Sequence, residues 1–215
     1  MKLFSSLREP ANGFTHFLGI LFSFYVLFAL LTRETPPVTQ SHTITFIIYS
    51  FAMFLLFLSS TMYHWIPWEG KKLETLRKID HIMIFIFIAA SYTPICVSVL
   101  DPEWGIPILV IVWLIALGGF FIKLFWLHAP RKLYTTIYLA MGWMVVFAIL
   151  PLNKSMPDGS MIWLGVEAVF YTTGAIIYAT KKPDPFPGIL GFHEIFHIFI
   201  LMGAYAHFYL IYKFI

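Results

Sequence analysis

Long apolar runs alternate with short polar or proline-rich breaks along the chain. Each run is close to the ~20 residues that a helix needs to cross about 30 Å of hydrocarbon. The two-residue alternation of a membrane barrel strand is absent, and lipid requires backbone groups to be satisfied within a segment, so the runs predict helices. We expect a single-domain, all-α bundle of seven transmembrane helices over residues 1–215, with spans roughly at 12–31, 43–64, 79–100, 105–127, 133–150, 160–179 and 189–212.

Composition supports a membrane protein. The 215 residues are 60% hydrophobic and only 12% charged, whereas a soluble domain has about 25% charged residues. The net charge of +3 is small and spread over several loops, so no nucleic-acid partner is expected. Cys96 is the only cysteine, which excludes an internal disulfide and a zinc site built from several thiolates.

The basic residues predict how the bundle is oriented. Cytoplasmic loops of membrane proteins carry an excess of lysine and arginine. An N-terminus on the cytoplasmic side and a C-terminus outside are therefore expected, in a multi-pass protein of the cell membrane. This orientation is opposite to that of G-protein-coupled receptors. One side carries Arg33, Lys154 and Lys213, and the other carries Lys2, Arg8, Lys71, Lys72, Arg77, Lys78, Lys123, Arg131, Lys132, Lys181 and Lys182.

Five polar residues are predicted to lie at one depth, in the inner half of the membrane. Ser60 and His64 end the second span on one helix face, and Asp80 begins the third. His193 and His197 share a face at the start of the seventh span. Three imidazoles can hold Zn²⁺ with a fourth position left for water, and a nearby carboxylate can accept that water's proton. The alternative is that these are ordinary polar residues at helix ends.

The stretch HEIFH, residues 193–197, also matches the H-E-x-x-H zinc signature of metalloproteases. In that interpretation Glu194 is the general base. A protease of this type needs a third ligand and an open cleft, and Glu194 lies about 100° round the helix from His193. Glu194 is therefore the alternative base, and Asp80 the main candidate.

Six motifs in order along the chain resemble the hemolysin III family. That family is the bacterial branch of the progestin and adipoQ receptors, which include the adiponectin receptors. The resemblance covers nearly the whole chain, in the stretches EPANGFTH (9–16), STMYH (60–64), KIDH (78–81), YTP (92–94), YLAMGW (138–143) and the final HEIFH.

The resemblance implies a role for each candidate residue. His64, His193 and His197 would bind zinc, Asp80 would hold the zinc-bound water, and Ser60 would support the site. Asn12 and His16 belong to the opening motif and are expected to pack or hydrogen-bond near it. His207 lies ten residues beyond His197, some 15 Å deeper, so it is expected to be a polar core residue and not a ligand. Glu167 is expected to form an interhelical hydrogen bond.

The implied activity is zinc-dependent hydrolysis of an amide-linked lipid such as a ceramide, in membrane lipid homeostasis. Membrane lipids would be the partners. Two alternatives remain open at this stage: a receptor or sensor with a structural zinc ion and no turnover, and a lytic membrane protein.

Overall fold

The computed structural model describes residues 7–187 and 189–215. Lys2, one of the residues in the charge count, lies outside these ranges. The fifth span is formed by α5 (Arg131–Trp143), a 3₁₀ segment (Met144–Ala148) and α6 (Ile149–Ser155) together. With it, seven helical segments within the described ranges are long and apolar enough to cross a membrane, which confirms the all-α, seven-span prediction. The helices are α1 (Pro10–Thr32), α2 (Gln40–Trp65), α3 (Gly70–Ser98), α4 (Pro102–Phe125), α5 (Arg131–Trp143), α6 (Ile149–Ser155), α7 (Ser160–Thr180) and α8 (Phe192–Phe214).

Two spans differ from their predicted bounds by more than three residues. The third was expected to begin at 79, but α3 already begins at Gly70. The charged residues within 70–78 lie outside the apolar run but still form helix, because lysine, glutamate, leucine and arginine are good helix formers. The fifth was expected to end at 150 and instead continues to Ser155. Pro151 cannot donate a hydrogen bond to the preceding turn, and the helix takes its 3₁₀ form there.

Neighbouring helices pack in chain order from α1 to α4, and the bundle closes through contacts of α8 with α1, α7 with α8, and α5 with both α7 and α3. The helix α3 has the most buried residues and lies at the centre, whereas α4 packs mainly against α3 and exposes much of its surface. We call the end where α1, α3 and α8 begin and α2 ends the basic end. Most of the lysines and arginines lie there.

Both ends of α1 are fastened to other helices. At the basic end the Glu9 amide donates to the His64 carbonyl at 2.9 Å, and the indole of Trp65 donates to the Pro10 carbonyl at 3.2 Å. Gly13 has no side chain at the point where the Trp65 ring packs against α1. At the opposite end the buried Arg33 donates to main-chain carbonyls in the last turn of α8, where a cation is favourable. The first contacts place Glu9 beside His64.

Candidate metal centre

Three histidines from α2 and α8 meet at the basic end of the bundle. His193 and His197 are four residues apart on α8 and therefore lie on one face, and their ring centres are 4.6 Å apart. The ring of His64, in the last turn of α2, is centred 5.0 Å from each of them. His64 and His197 are both 1% exposed. The structure thus brings together the three residues predicted as metal ligands.

The orientation of His64 is set by Glu9. The His64 Nδ1–H donates to Oε2 of the Glu9 carboxylate, whose other oxygen is 2.9 Å from the Arg8 guanidinium. Burial alone would raise the pKa of Glu9, but the hydrogen bond from His64 and the positive charge of Arg8 outweigh it, so its pKa is lowered. Because Nδ1 carries the hydrogen, Nε2 is left to offer a lone pair. A carboxylate behind a ligating imidazole commonly fixes its tautomer in this way.

The orientation of His197 is set by α1. Its Nδ1 lies 3.2 Å from the Asn12 carbonyl oxygen and 3.0 Å from the Thr15 hydroxyl oxygen. The Thr15 hydroxyl donates its hydrogen to the same carbonyl at 2.7 Å, so its oxygen is free to accept from His197. Both neighbours therefore accept, and Nδ1 must carry the hydrogen. His197 Nε2 is therefore left with a free lone pair, as in His64.

The donor set fits a zinc ion. Neutral imidazole nitrogens are common zinc ligands, and in a tetrahedral site with Zn–N bonds of about 2.0–2.1 Å they lie about 3.4 Å apart. One nitrogen from each of His64, His193 and His197 lies within 4.8 Å of the others. Three protein ligands leave one tetrahedral position for water or substrate, which is typical of catalytic zinc sites.

His16 and Asn12 lie against this centre. The His16 ring stacks on His197 with ring centres 3.6 Å apart and an angle of 16° between the planes. Neither ring nitrogen of His16 has a hydrogen-bond partner within the described part of the chain. Asn12 reaches the site through its main-chain carbonyl, and its buried side-chain oxygen is unpaired among the same residues. Both residues thus take the neighbouring positions expected of the opening motif.

Asp80 and Ser60 line the same cavity as the three histidines. Both are buried, at 8% and 1% exposure. The Asp80 carboxylate lies 3.3 Å from Nδ1 of His81, whose own nearer partner is the Arg77 carbonyl at 2.8 Å. Since α3 begins at Gly70, Asp80 lies well inside the helix and not at its start. The roles proposed for Asp80 and Ser60 are considered below.

Glu194 has a different environment from Asp80. Its Oε2 accepts a hydrogen bond at 2.9 Å from the Gly191 amide, within a capping arrangement at the start of α8. Glu194 is absent from the lining of the cavity that holds Asp80 and lines a smaller one near Asp184. This contact gives Glu194 a structural use, because the first amides of a helix lack partners within the helix.

The cavity beside the histidines has a volume of about 670 Å³. Its walls between the helices are largely apolar, with Ile84, Ile88 and Leu164 among the lining residues. It also reaches the side chains of Val146 and Val169, which are 46% and 62% exposed on the outer face of the bundle. The cavity therefore opens sideways, between the fifth span and α7, towards the surface that contacts lipid.

His207 and Glu167 meet further from the basic end. His207 Nδ1 is 2.8 Å from Glu167 Oε2, so the interhelical hydrogen bond expected for Glu167 is confirmed. The other ring nitrogen lies 3.1 Å from the Ser91 carbonyl oxygen. His207 is buried, takes no part in the three-histidine group, and is the polar core residue that was expected.

Sequence reasoning did not single out Glu9 and Thr15 as site residues. Both belong to the opening motif EPANGFTH, and together with Asn12 and His16 they recur at spacings of three, three and one. That spacing places all four within two turns at the start of one helix. The signal was therefore present, but the partner of each residue depends on how α1 packs against α2 and α8.

Comparison with known proteins places this arrangement in a family. A family model described as Haemolysin-III related matches residues 4–208. The chain belongs to the haemolysin-III related family. It is thus a multi-pass membrane protein, and the match includes every candidate site residue named above.

Relatives within the haemolysin-III related group span nearly the same length as this chain. It is 36% identical over 207 residues to the "Hemolysin-3 homolog" of Bacillus subtilis (strain 168), covering 96% of this chain and 94% of the relative. It is 34% identical over 198 residues to the "Hemolysin-3" of Bacillus cereus, covering 92% and 87%. A more distant relative is the human "Monocyte to macrophage differentiation factor", 29% identical over 219 residues, covering 97% and 84%.

Proposed function

We propose that this protein binds zinc through His64, His193 and His197 and acts in membrane lipid homeostasis by hydrolysing an amide-linked lipid of the ceramide type. The observation that carries the proposal is the position of the three imidazoles at one end of an apolar cavity that opens towards lipid. We also infer that residues 1–215 form one membrane domain whose basic end faces the cytoplasm. The distribution of lysine and arginine supports this orientation.

The cavity suits part of a lipid. Ligand pockets commonly have volumes of about 300–1,000 Å³, with apolar walls and a few converging polar groups. Here the histidines, Asp80 and Ser60 lie at the basic end, and the sideways opening allows an acyl chain to enter from the membrane. Arg77 and Arg131 also line the cavity. Their positive charges would favour the binding of an anionic product such as a fatty acid carboxylate.

Each residue has a defined part in the proposed reaction. A bound zinc ion would supply Lewis acidity, which polarises a carbonyl oxygen and lowers the pKa of water. Asp80 accepts a proton from the attacking water, and Ser60, one turn from His64 on α2, supports the site. The water oxygen first bonds to the carbonyl carbon, and the C–N bond then breaks as the proton passes from Asp80 to the departing amine. A fatty acid and a free amine result, while Glu9 and the Asn12–Thr15 pair keep the histidines in place.

The cavity favours hydrolysis over a sensor with a structural zinc ion. A structural site is closed by four protein ligands, whereas this group has three and borders a lipid-sized space. The names of the two Bacillus relatives raise lysis as another candidate. The histidine cluster and the cavity have no evident part in lysis.

The test uses Asp80→Asn in purified, zinc-loaded protein, with ceramide hydrolysis and bound zinc measured on the same sample. Asparagine keeps the shape of aspartate but cannot accept the proton. We expect zinc to be retained and turnover to fall roughly 100-fold, the lower range for loss of a general base. The matched control is Glu194→Gln, the same change of carboxylate to amide at a residue outside the cavity, which should retain turnover.

Two results would contradict the proposal. Absence of ceramide hydrolysis by the unmodified, zinc-loaded protein would favour the sensor. Loss of activity in Glu194→Gln, with activity retained in Asp80→Asn, would make the H-E-x-x-H interpretation correct. A haemoglobin-release assay with erythrocytes, run on the same preparation, tests the lytic candidate, and we expect no release of haemoglobin.

A further inference from the structure

A second polar group lies in the same cavity, away from the three histidines. Glu167 on α7 and His207 on α8 are hydrogen-bonded at 2.8 Å, and Ser91 on α3 supplies the carbonyl at the far side of the imidazole. All three residues line the cavity. The side chains of His207 and Glu167 are 3% and 14% exposed. Ionisable residues at such a depth in a membrane protein commonly have a function.

The hydrogen-bond pattern leaves one oxygen of Glu167 free. The Ser91 carbonyl can only accept, so the nitrogen of His207 that faces it carries a hydrogen. One further hydrogen lies between Nδ1 of the ring and Oε2 of the carboxyl group, whichever atom holds it. In both arrangements Oε1 of Glu167 is an acceptor that this bond does not use.

Tyr171 lies one helical turn beyond Glu167 and carries a hydrogen-bond donor. It follows Glu167 by four residues on α7, so the two side chains lie on one face about one turn apart. Its ring lies against Gly203 of α8, where a side chain would collide with it. The Tyr171 hydroxyl is buried and has no hydrogen-bond partner among residues 7–187 and 189–215. An unpaired buried hydroxyl is costly, and this residue lines the cavity.

The two polar groups are separated along the bundle. His207 follows His197 by ten residues on α8, which is about 15 Å of helix rise. Apolar residues such as Ile88 and Leu164 line the cavity as well. A chain that begins at the histidines and continues along this wall reaches Glu167 and Tyr171 well beyond its head group.

We propose that Glu167 and Tyr171 form a second polar subsite, which binds a hydroxyl group carried in the interior of a lipid acyl chain. A hydroxyl matches the pair because it can donate to Oε1 of Glu167 and accept from the Tyr171 hydroxyl through a single oxygen. The subsite rests on the proposed occupancy of the cavity by lipid. It adds a preference among acyl chains, which zinc binding and hydrolysis at the other end do not determine.

The test compares ricinoleic acid with oleic acid, which differ by one hydroxyl group beyond the middle of the chain. Both represent the fatty acid product, and their binding to purified, zinc-loaded protein is measured by calorimetry in detergent. We expect ricinoleic acid to bind roughly 5-fold more tightly, the scale of one net hydrogen bond. Tyr171→Phe should abolish this preference without weakening oleic acid binding or reducing the zinc content.

The control is Tyr205→Phe. Tyr205 lies on α8, is 49% exposed and is absent from the cavity lining, so its loss should leave the preference intact. Tyr171→Phe removes an unpaired polar group, so this variant should melt at no lower a temperature than the unmodified protein. If it fails to fold, Glu167→Gln serves as the second variant, and the preference should again decrease.

The failures of the two proposals are distinguishable. Equal binding of the two acids by the unmodified protein would overturn the subsite alone. A preference that survives in Tyr171→Phe would do the same, because the tyrosine hydroxyl would then be paired with a bound water and not with the ligand. Binding of neither acid would overturn the lipid-binding cavity and the subsite with it.

Discussion

Replacement of Glu9 by alanine removes the carboxylate that accepts the hydrogen bond from His64 Nδ1. Without this acceptor the imidazole can rotate or take the other tautomer, and Nε2 is no longer held towards His193 and His197. The main-chain bond from the Glu9 amide to the His64 carbonyl, 2.9 Å long, does not depend on the side chain. The start of α1 should therefore stay in place, and the expected effect is on metal binding and not on folding.

The size of the effect follows from the surroundings of Glu9. Loss of the partner behind a metal-binding histidine typically weakens metal binding 10- to 100-fold. The Glu9 side chain is 37% exposed, so water can replace part of the lost acceptor, and Arg8 at 2.9 Å already offsets part of its charge. We therefore expect the lower end of the range for Glu9→Ala, roughly 10-fold or about 1.4 kcal/mol. Glu9→Gln, which keeps an acceptor oxygen, should lose less.

The assay is a competition titration of zinc against a fluorescent chelator, with thermal unfolding of the metal-free protein measured in parallel. Glu74→Ala is the matched control, because it removes an exposed carboxylate near the same end of the bundle. The reasoning would be refuted if Glu9→Ala bound zinc as tightly as the unmodified protein. Equal losses in Glu9→Ala and Glu74→Ala would show a general effect of surface charge.

Three further predictions concern packing, the start of α8 and orientation. Gly13→Ala would place a methyl group against the Trp65 indole and should lower the free energy of unfolding by about 1–3 kcal/mol, seen as a lower melting temperature. Gly118→Ala, with no atoms within 4 Å of the added carbon, should leave the melting temperature unchanged. Glu194→Gln keeps an acceptor for the first turn of α8, so zinc content should not change, and a loss of zinc would make this carboxylate part of the metal site. A reporter fused to the C-terminus should lie outside the cytoplasm and one between the second and third spans inside; the reverse result would invalidate the charge argument.

Much of the fold follows from the sequence because lipid leaves few alternatives. A segment that crosses hydrocarbon must satisfy its own backbone, so hydropathy alone indicates seven helices. The bounds are less well determined. The helix α3 begins before its apolar run, because residues such as Lys71 and Glu74 favour a helix outside the membrane as well. The 3₁₀ segment before Pro151 depends on local geometry that hydropathy does not record.

The candidate site was predictable to the level of depth along the bundle. Topology places His64, His193 and His197 near one end, and the structure brings their rings together. The sequence alone could not predict the hydrogen bond between Glu9 and His64 or the stacking of His16 on His197. Those contacts join residues far apart in the sequence and depend on which helices become neighbours. The sideways opening of the cavity has the same origin, since it is a property of packing and not of any one segment.

The zinc content of the purified protein tests the central claim most directly. We expect about one zinc ion per chain, most of it lost in His193→Ala and in His197→Ala, since a site that loses one of three protein ligands binds zinc far more weakly. His207→Ala, on the same helix but bonded to Glu167, should retain its zinc and serves as the control. Zinc that persists when His193 and His197 are replaced together would contradict the assignment of the site.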